Sequence, residues 1–269
     1  MSKGIVIKTD EEIEFLRESN LMVSKTLALM GELLKPGIKT NYLDKIAEEY
    51  IHDNGGIPSF KGYSGFPASL CISINEAVVH GIPSDREIIE GDVVSIDCGV
   101  YKNGFHGDSA YTFAVGDVEE EIMNLLRATN ESLYLGIEKA VVGNRLGDIG
   151  FAVQDYTEKQ RPYGVVREMV GHGVGRNLHE SPEVPNYGRR GKGMMLKENM
   201  TIAIEPMITL GKRSIKVLKD NWTIVTRDGK PAAHYEHSIA VKKHKADVLS
   251  DHSIIEEVIK KNINIKKLK

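Results

Sequence analysis

Residues 96–110, IDCGVYKNGFHGDSA, place two aspartates, Asp97 and Asp108, inside what reads as a β-hairpin. Asn103-Gly104 is the preferred pair for a two-residue type I′ turn. With Lys102 opposite Phe105, Asp97 falls across from Ala110 and Asp108 across from Gly99. Alternate residues of a strand share a face, so both carboxylates leave the same side as diagonal neighbours, their backbones about 7–8 Å apart. Aspartate is a poor strand former, and a buried carboxylate is costly without positive charge beside it. Two such charges aimed at one spot need a proton on one of them or a cation between them, and a divalent metal meets that need. A solvent-exposed acidic pair fits this stretch alone equally well, and a β-bulge at either glycine would shift the register.

Three further segments offer donors of the same kind. GHGVGRNLHE (171–180) carries His172 and His179 in a glycine-rich loop, AIEPM (203–207) puts Glu205 at a strand end, and HYEHSIAV (234–241) puts Glu236 in mid-strand. Asp, Asp, His, Glu and Glu form a hard, oxygen-rich set suited to two ions that share bridging carboxylates. Taken singly, each is as readily a solvent residue or a hydrogen-bonded core group. The histidine spacing does not fit HExxH on a helix, which removes that zinc-protease pattern.

Such donors need a frame. Thr9 followed by Asp10, Glu11 and Glu12 is a capping box, and apolar residues at Ile13, Leu16, Val23, Leu27, Met30 and Leu34 predict a long helix stopped by Lys35-Pro36-Gly37. Thr40 is expected to cap a second helix, with Leu43, Ile46, Ala47, Tyr50 and Ile51 on one face, ending at residues 54–56. LCISI and VVSIDCG lead into the hairpin, residues 118–141 and 146–160 read as two more helices, and NMTIAIEPMI, WTIVTRDG and HYEHSIAV as closing strands. The order helix, helix, strands therefore occurs twice. EGDVVSID (90–97) and ENMTIAIE (198–205) both end an alternating strand on an acid, a faint echo of duplication. No Pro-, Gly- or Ser-rich linker divides the chain, so the pattern is one α+β unit.

At 269 residues, 41% hydrophobic and 27% charged, the chain suits a sizeable core under a solvated surface. No apolar run is long enough for a membrane helix and the N-terminus turns acidic where a secretory signal would be apolar, so a cytoplasmic protein is expected. Cys71 and Cys98 lack the spacing of a zinc or redox motif and read as reduced, buried thiols. A net charge of −3 argues against strong DNA binding. Residues 259–269, with lysines at 260, 261, 266, 267 and 269 and no acid, read as a basic tail, either solvated or touching a polyanion such as ribosomal RNA.

Together, SINEAVVHGIP (73–83), DCGVYKNGFHGDSA (97–110), GHGVGRNLHESPEVPNY (171–187), IEPM (204–207) and YEHSIAV (235–241) resemble the type I methionine aminopeptidases, in order and over about residues 5–243. The resemblance implies the pita-bread fold, two pseudo-symmetric halves (about 1–115 and 116–248) around an antiparallel sheet, in one catalytic domain of residues 1–248; it says nothing of the rest, and 249–269 is expected to be a basic C-terminal tail. It implies two divalent ions, cobalt, manganese, iron or zinc, held by Asp97, Asp108, His172, Glu205 and Glu236, with Asp108 and Glu236 bridging.

The same resemblance makes Glu205 the proton acceptor and makes His80 and His179 the groups that bind substrate and stabilise the oxyanion. Tyr63, Phe66, Cys71, Leu178 and Trp222 would then wall the slot for the methionine side chain. Leu178 stands where many relatives have an aromatic residue, and Phe66 where tyrosine is common. The implied substrate is the N-terminal methionine of nascent chains with a small second residue; nothing in the sequence demands more than a monomer, and the basic tail is the feature that could bring it into transient contact with the ribosome. The short span from His172 to Glu205 leaves no room for the type II insertion, and the N-terminus lacks a zinc-binding extension, so a bacterial type is implied. An Xaa-Pro aminopeptidase and a non-catalytic pita-bread binding protein are the rival readings.

Overall fold

The apolar spacing of residues 10–34 produces α1 (Asp10–Leu33), which starts at the expected capping box. The Thr9 hydroxyl accepts from the Glu12 N–H at 3.1 Å, and the Glu12 carboxylate accepts from the Thr9 N–H at 2.9 Å. α2 (Thr40–Asp53) follows, with Thr40 as its first helical residue rather than its cap. The Thr40 hydroxyl donates to the Ser84 carbonyl and accepts from the Ser84 N–H, which ties the helix to the loop before the hairpin. The pair recurs as α3 (Glu120–Ile137) and α4 (Leu146–Gln154), the latter running on into a π turn at Asp155–Lys159. This computed structural model describes residues 4–268.

The hairpin strands Val93–Lys102 and Phe105–Val115 pair in the expected register, Lys102 with Phe105, Asp97 with Ala110 and Gly99 with Asp108. Leu70–Ile74 lies along the other side of Val93–Lys102, setting Cys71 beside Asp97. α1 crosses this sheet closely. A Cβ on Gly107 would stand 2.5 Å from the Asn20 nitrogen, so only glycine allows the approach that lets the Asp108 N–H reach Asn20 Oδ1 at 3.2 Å.

In the second half, Thr201–Ile204 runs between Gly171–Gly173 and His237–Ala240, and Met207–Thr209 pairs with Ala232–His234. Each of the two long segments read as one strand is thus interrupted. NMTIAIEPMI breaks at Glu205-Pro206, where proline has no N–H to give a ladder. HYEHSIAV breaks at Tyr235-Glu236, so Glu236 is not in mid-strand. Its N–H donates instead to the Ala110 carbonyl at 3.0 Å, the Ser109 hydroxyl donates to the Glu236 carbonyl at 2.6 Å, and the Ser238 hydroxyl donates to the Asp108 carbonyl at 2.8 Å. The break frees the second half to bond to the hairpin of the first.

One apolar core spans both halves, from Leu27 and Met30 of α1 through Ile96 and Val100 of the hairpin to Leu126, Leu133, Ile202 and Ile204. Ile255, Ile259 and Ile265 belong to it as well, so the segment 249–268 does not trail as a basic tail. α5 (His252–Ile259) buries Ile255 and Ile259 against α1, and Ile265–Lys266 adds a strand to the hairpin's edge at Ala114 and Val115. The Asn262 amide donates to the carbonyls of Gly31 and Leu34, at 2.8 and 2.9 Å, satisfying acceptors that the end of α1 leaves open. No described helix is long and apolar enough to cross a membrane.

Candidate active site and metal centre

Asp97 and Asp108 from the first half meet His172, Glu205 and Glu236 from the second on the floor of a cavity of about 610 Å³. The strand breaks at Glu205 and Glu236 turn those side chains inward, toward the face of the hairpin that carries both aspartates. His172 Nε2 lies 3.6 Å from Asp108 Oδ2 and 3.6 Å from Glu205 Oε1. Its Nδ1 is 2.9 Å from the Gly173 carbonyl, so Nδ1 carries the hydrogen and the Nε2 lone pair faces the carboxylates, as a metal-binding imidazole requires.

Without a cation the arrangement is electrostatically unfavourable. Burial pushes the Asp97 carboxyl up to about 7 and Glu205 to about 8. Burial, with neighbouring carboxylates adding to it, holds Asp108 and Glu236 far above the usual carboxylate range. Burial drives His172 down to about 3, so the imidazole supplies no compensating charge. Asp97 Oδ1, Asp108 Oδ1 and Glu236 Oε1 are buried with no hydrogen-bond partner. Orphaned acceptors that converge beside a neutral imidazole fit bound divalent cations, and the donor set is the oxygen-rich one expected for them.

The side wall of the cavity is apolar. Phe66, Cys71 and Leu178 form a buried cluster with Phe60 and Ala68, and Trp222 packs on it, its ring meeting Phe66 edge-on at 5.1 Å. Asp220 holds the Trp222 loop by accepting from the Trp222 and Thr223 N–H groups, both at 2.9 Å. Burial, reinforced by Asp97 and Asp108, keeps the Cys71 thiol protonated.

The two remaining histidines line the same cavity. His80 sits at the end of Ala77–Val79 with φ +58°, a left-handed conformation uncommon for a non-glycine residue. Burial, helped by His234 and His179, brings it down to about 4. His179 Nδ1 is 2.7 Å from the Tyr63 hydroxyl, and its ring lies 4.3 Å from that of His172. Every residue expected from the sequence at the site, including Tyr63, thus lines this one cavity.

Residues 14–243 match metallopeptidase family M24. The chain belongs to that family. Among M24 relatives, the methionine aminopeptidases of Clostridium acetobutylicum and Bacillus subtilis are 50% and 49% identical, over 91% of this chain and 98% and 99% of theirs. The methionine aminopeptidase structure from Rickettsia prowazekii superposes with a TM-score of 0.90 at 39% identity, covering 92% of this chain and 100% of that one. The X-Pro aminopeptidase of Thermotoga maritima shares the pita-bread fold, with a TM-score of 0.73 at 17% identity, but this chain covers only 62% of it.

Against the M24 frame, sequence reasoning missed two residues at the site. Phe60 belongs to the apolar wall, and its signal was an aromatic residue just ahead of the Tyr63 turn. His234 lies beside the floor, its Nε2 3.5 Å from Glu205 Oε2 and 4.0 Å from Glu236 Oε2. HYEH held that signal, a second imidazole two residues before Glu236, where strand alternation puts side chains on one face.

Proposed function

We propose that Asp97, Asp108, His172, Glu205 and Glu236 hold two divalent ions, and that this M24 peptidase uses them to remove N-terminal methionine. The substrates are nascent proteins and peptides whose second residue is small. The convergence of buried, unpartnered carboxylate oxygens on the floor of a cavity whose side wall is apolar carries the reading. When bound, the ions supply Lewis-acid polarisation of the amide and acidify water. Glu205, on the floor with its two oxygens facing His172 and His234, accepts the proton from the attacking water.

His80 and His179 are held neutral by burial and act as hydrogen-bond donors rather than cations. With the Tyr63 hydroxyl donating to His179 Nδ1, the Nε2 hydrogen is left to meet the oxygen that becomes negative as the carbonyl is attacked. Phe66, Leu178 and Trp222, with the neutral Cys71 thiol, receive the thioether, for which aromatic and sulfur contacts are well suited.

The proposal extends to the setting. A monomer in the cytoplasm would meet chains as they emerge, with iron, manganese, cobalt or zinc in the site, and the lysines after residue 259 are the group for a transient ribosome contact. Two of those lysines already have partners, Lys260 with Glu257 at 2.6 Å and Lys266 with Asp117 at 2.9 Å, which among the described residues leaves Lys261 and Lys267 as the freer pair for such a contact, Lys269 lying outside the described residues. The test is methionine release from Met-Ala-Ser and Met-Leu-Ser with added Mn²⁺ or Co²⁺ and with a chelator. Metal-dependent release from the first and little from the second is expected. Silence on both with metal bound, and cleavage of an Xaa-Pro peptide, would overturn it.

A further inference from the structure

We propose that His234 is a sixth protein donor to the metal centre, so that each of the two ion positions receives one imidazole. The inference rests on the reading of the carboxylate cluster as a two-ion site and adds a ligand to it.

The geometry of His234 repeats that of His172. His172 Nε2 is 3.6 Å from each of two carboxylate oxygens, while His234 Nε2 is 3.5 Å from Glu205 Oε2 and 4.0 Å from Glu236 Oε2. All four distances exceed a normal N–H···O bond of about 2.7–3.2 Å. They fall within the spacing of two donors on one ion, which at bonds of about 2.0–2.2 Å is no more than about 4.4 Å. Glu205 divides its oxygens between the two rings, Oε1 toward His172 and Oε2 toward His234. Donor atoms group accordingly into Asp108, His172 and Glu236 on one side and Glu205, His234 and Glu236 on the other, with Glu236 common to both.

His234 Nε2 is also buried with no hydrogen-bond partner, on a residue only 1% exposed. A buried nitrogen left unpaired is destabilising. Here an ion removes that cost for the nitrogen and for the facing carboxylates together. The ring is not placed by chance. The His234 N–H donates to Thr112 Oγ1 at 3.0 Å and its carbonyl accepts from the same hydroxyl at 2.7 Å, so the hairpin that carries both aspartates also fixes the backbone of His234. Imidazole at both positions would tilt selection toward cobalt, iron or zinc and away from manganese, which takes oxygen more readily.

The experiment is a Co²⁺ titration of the full metal-free chain, followed by calorimetry and by proton NMR of the paramagnetic protein. A Co²⁺-bound imidazole gives a strongly shifted, exchangeable N–H signal, so the signals count the ligated histidines. Two Co²⁺ and two such signals are expected for the wild type. His234→Gln should lose one signal and weaken one of the two binding steps by about 10–100-fold or more, the range for losing even an indirect partner of a ligand. His172→Gln should lose the other. Two Co²⁺ with a single signal in the wild type would overturn the proposal, whatever the variants do to affinity, because His234 would then only orient Glu205. No Co²⁺ binding at all would instead overturn the two-ion reading beneath it. The wild-type count stands even if a variant fails to fold.

Discussion

The floor of the cavity and its side wall are built by different means. The floor is fixed by backbone bonds between elements far apart in sequence, Glu236 to Ala110, Ser109 to Glu236 and Ser238 to Asp108, and presents carboxylates that burial disfavours. The wall is set largely on loops, at Phe66, Leu178 and Trp222, and presents apolar groups that burial favours. The floor is therefore unfavourable until cations arrive and is held open by the fold, while the wall contributes to stability as it stands. On the proposed assignment, reaction chemistry and side-chain selection draw on separate parts of the structure and should separate under mutation.

The largest effect should follow from the floor. Asp108→Asn or Glu236→Gln should lower kcat for Met-Ala-Ser by about 10³-fold, which corresponds to about 4 kcal/mol of lost transition-state stabilisation. Metal analysis should show reduced occupancy. The same substitutions should raise the Tm of the metal-free protein, because folding no longer has to neutralise a buried carboxyl. A metal-free variant that melts lower than the wild type would break the contrast.

Next comes His179→Ala, expected to reduce kcat by about 10²–10³-fold, the range for losing one oxyanion donor, with metal content unchanged. Tyr63→Phe should fall short of that, since it removes only the group that sets the tautomer. The wall should respond more weakly still. Leu178→Ala should cost about 1–3 kcal/mol in kcat/KM for methionyl peptides, about 10–200-fold, without changing metal occupancy. An equal loss of metal would show that wall and floor are not independent.

The smallest effect is in the pH dependence of stability without metal. Asp97 and Glu205 have folded values raised to about 7 and about 8, so the stability they contribute is present below the ordinary carboxylate range and is lost as pH rises through those values. The depressed histidines act on the acid side, losing stability as pH falls from 6.5 toward about 3 for His172 and about 4 for His80. Above 6.5 those imidazoles are neutral in both states, and only the carboxylates titrate. The Tm of the chelated protein should drop between pH 6.5 and about 8, and excess divalent metal should remove most of that drop. A flat Tm in the chelated sample would contradict the burial assigned to the floor.

What was legible in the sequence was mostly local. The capping box at Thr9 and the Asn103-Gly104 turn fix their own geometry, so α1 and the register of Asp97 and Asp108 could be read before any fold was known. The interruption at Glu236 could not, because its cause is the Ala110 carbonyl 126 residues earlier, 110 against 236. Five of the cluster residues were found because carboxylates and a histidine stand out by type. His234 is harder to read, because a single histidine in a strand is more often a hydrogen-bonded core group than a donor. In the last segment the lysines obscured Ile255 and Ile259, one helical turn apart, which bury against α1. Which lysines are already paired is a tertiary fact, and nothing in the local sequence marks it.

The docking of Asn262 onto the end of α1 has a consequence for how this protein is made. The Leu34 carbonyl is synthesised 228 residues before the amide that satisfies it, and the hairpin edge at Val115 waits for Ile265 in the same way. At about 5–20 residues per second, that interval is roughly 10–50 s. The hairpin edge waits for the 150 residues from Val115 to Ile265, roughly 8–30 s at the same rate, and through that time the edge of the hairpin that carries Asp97 and Asp108 has backbone groups open to unwanted pairing. The first half is translated early but completed late, so the catalytic floor reaches its final form only after the helix and strand that seal the opposite side of the sheet have left the ribosome.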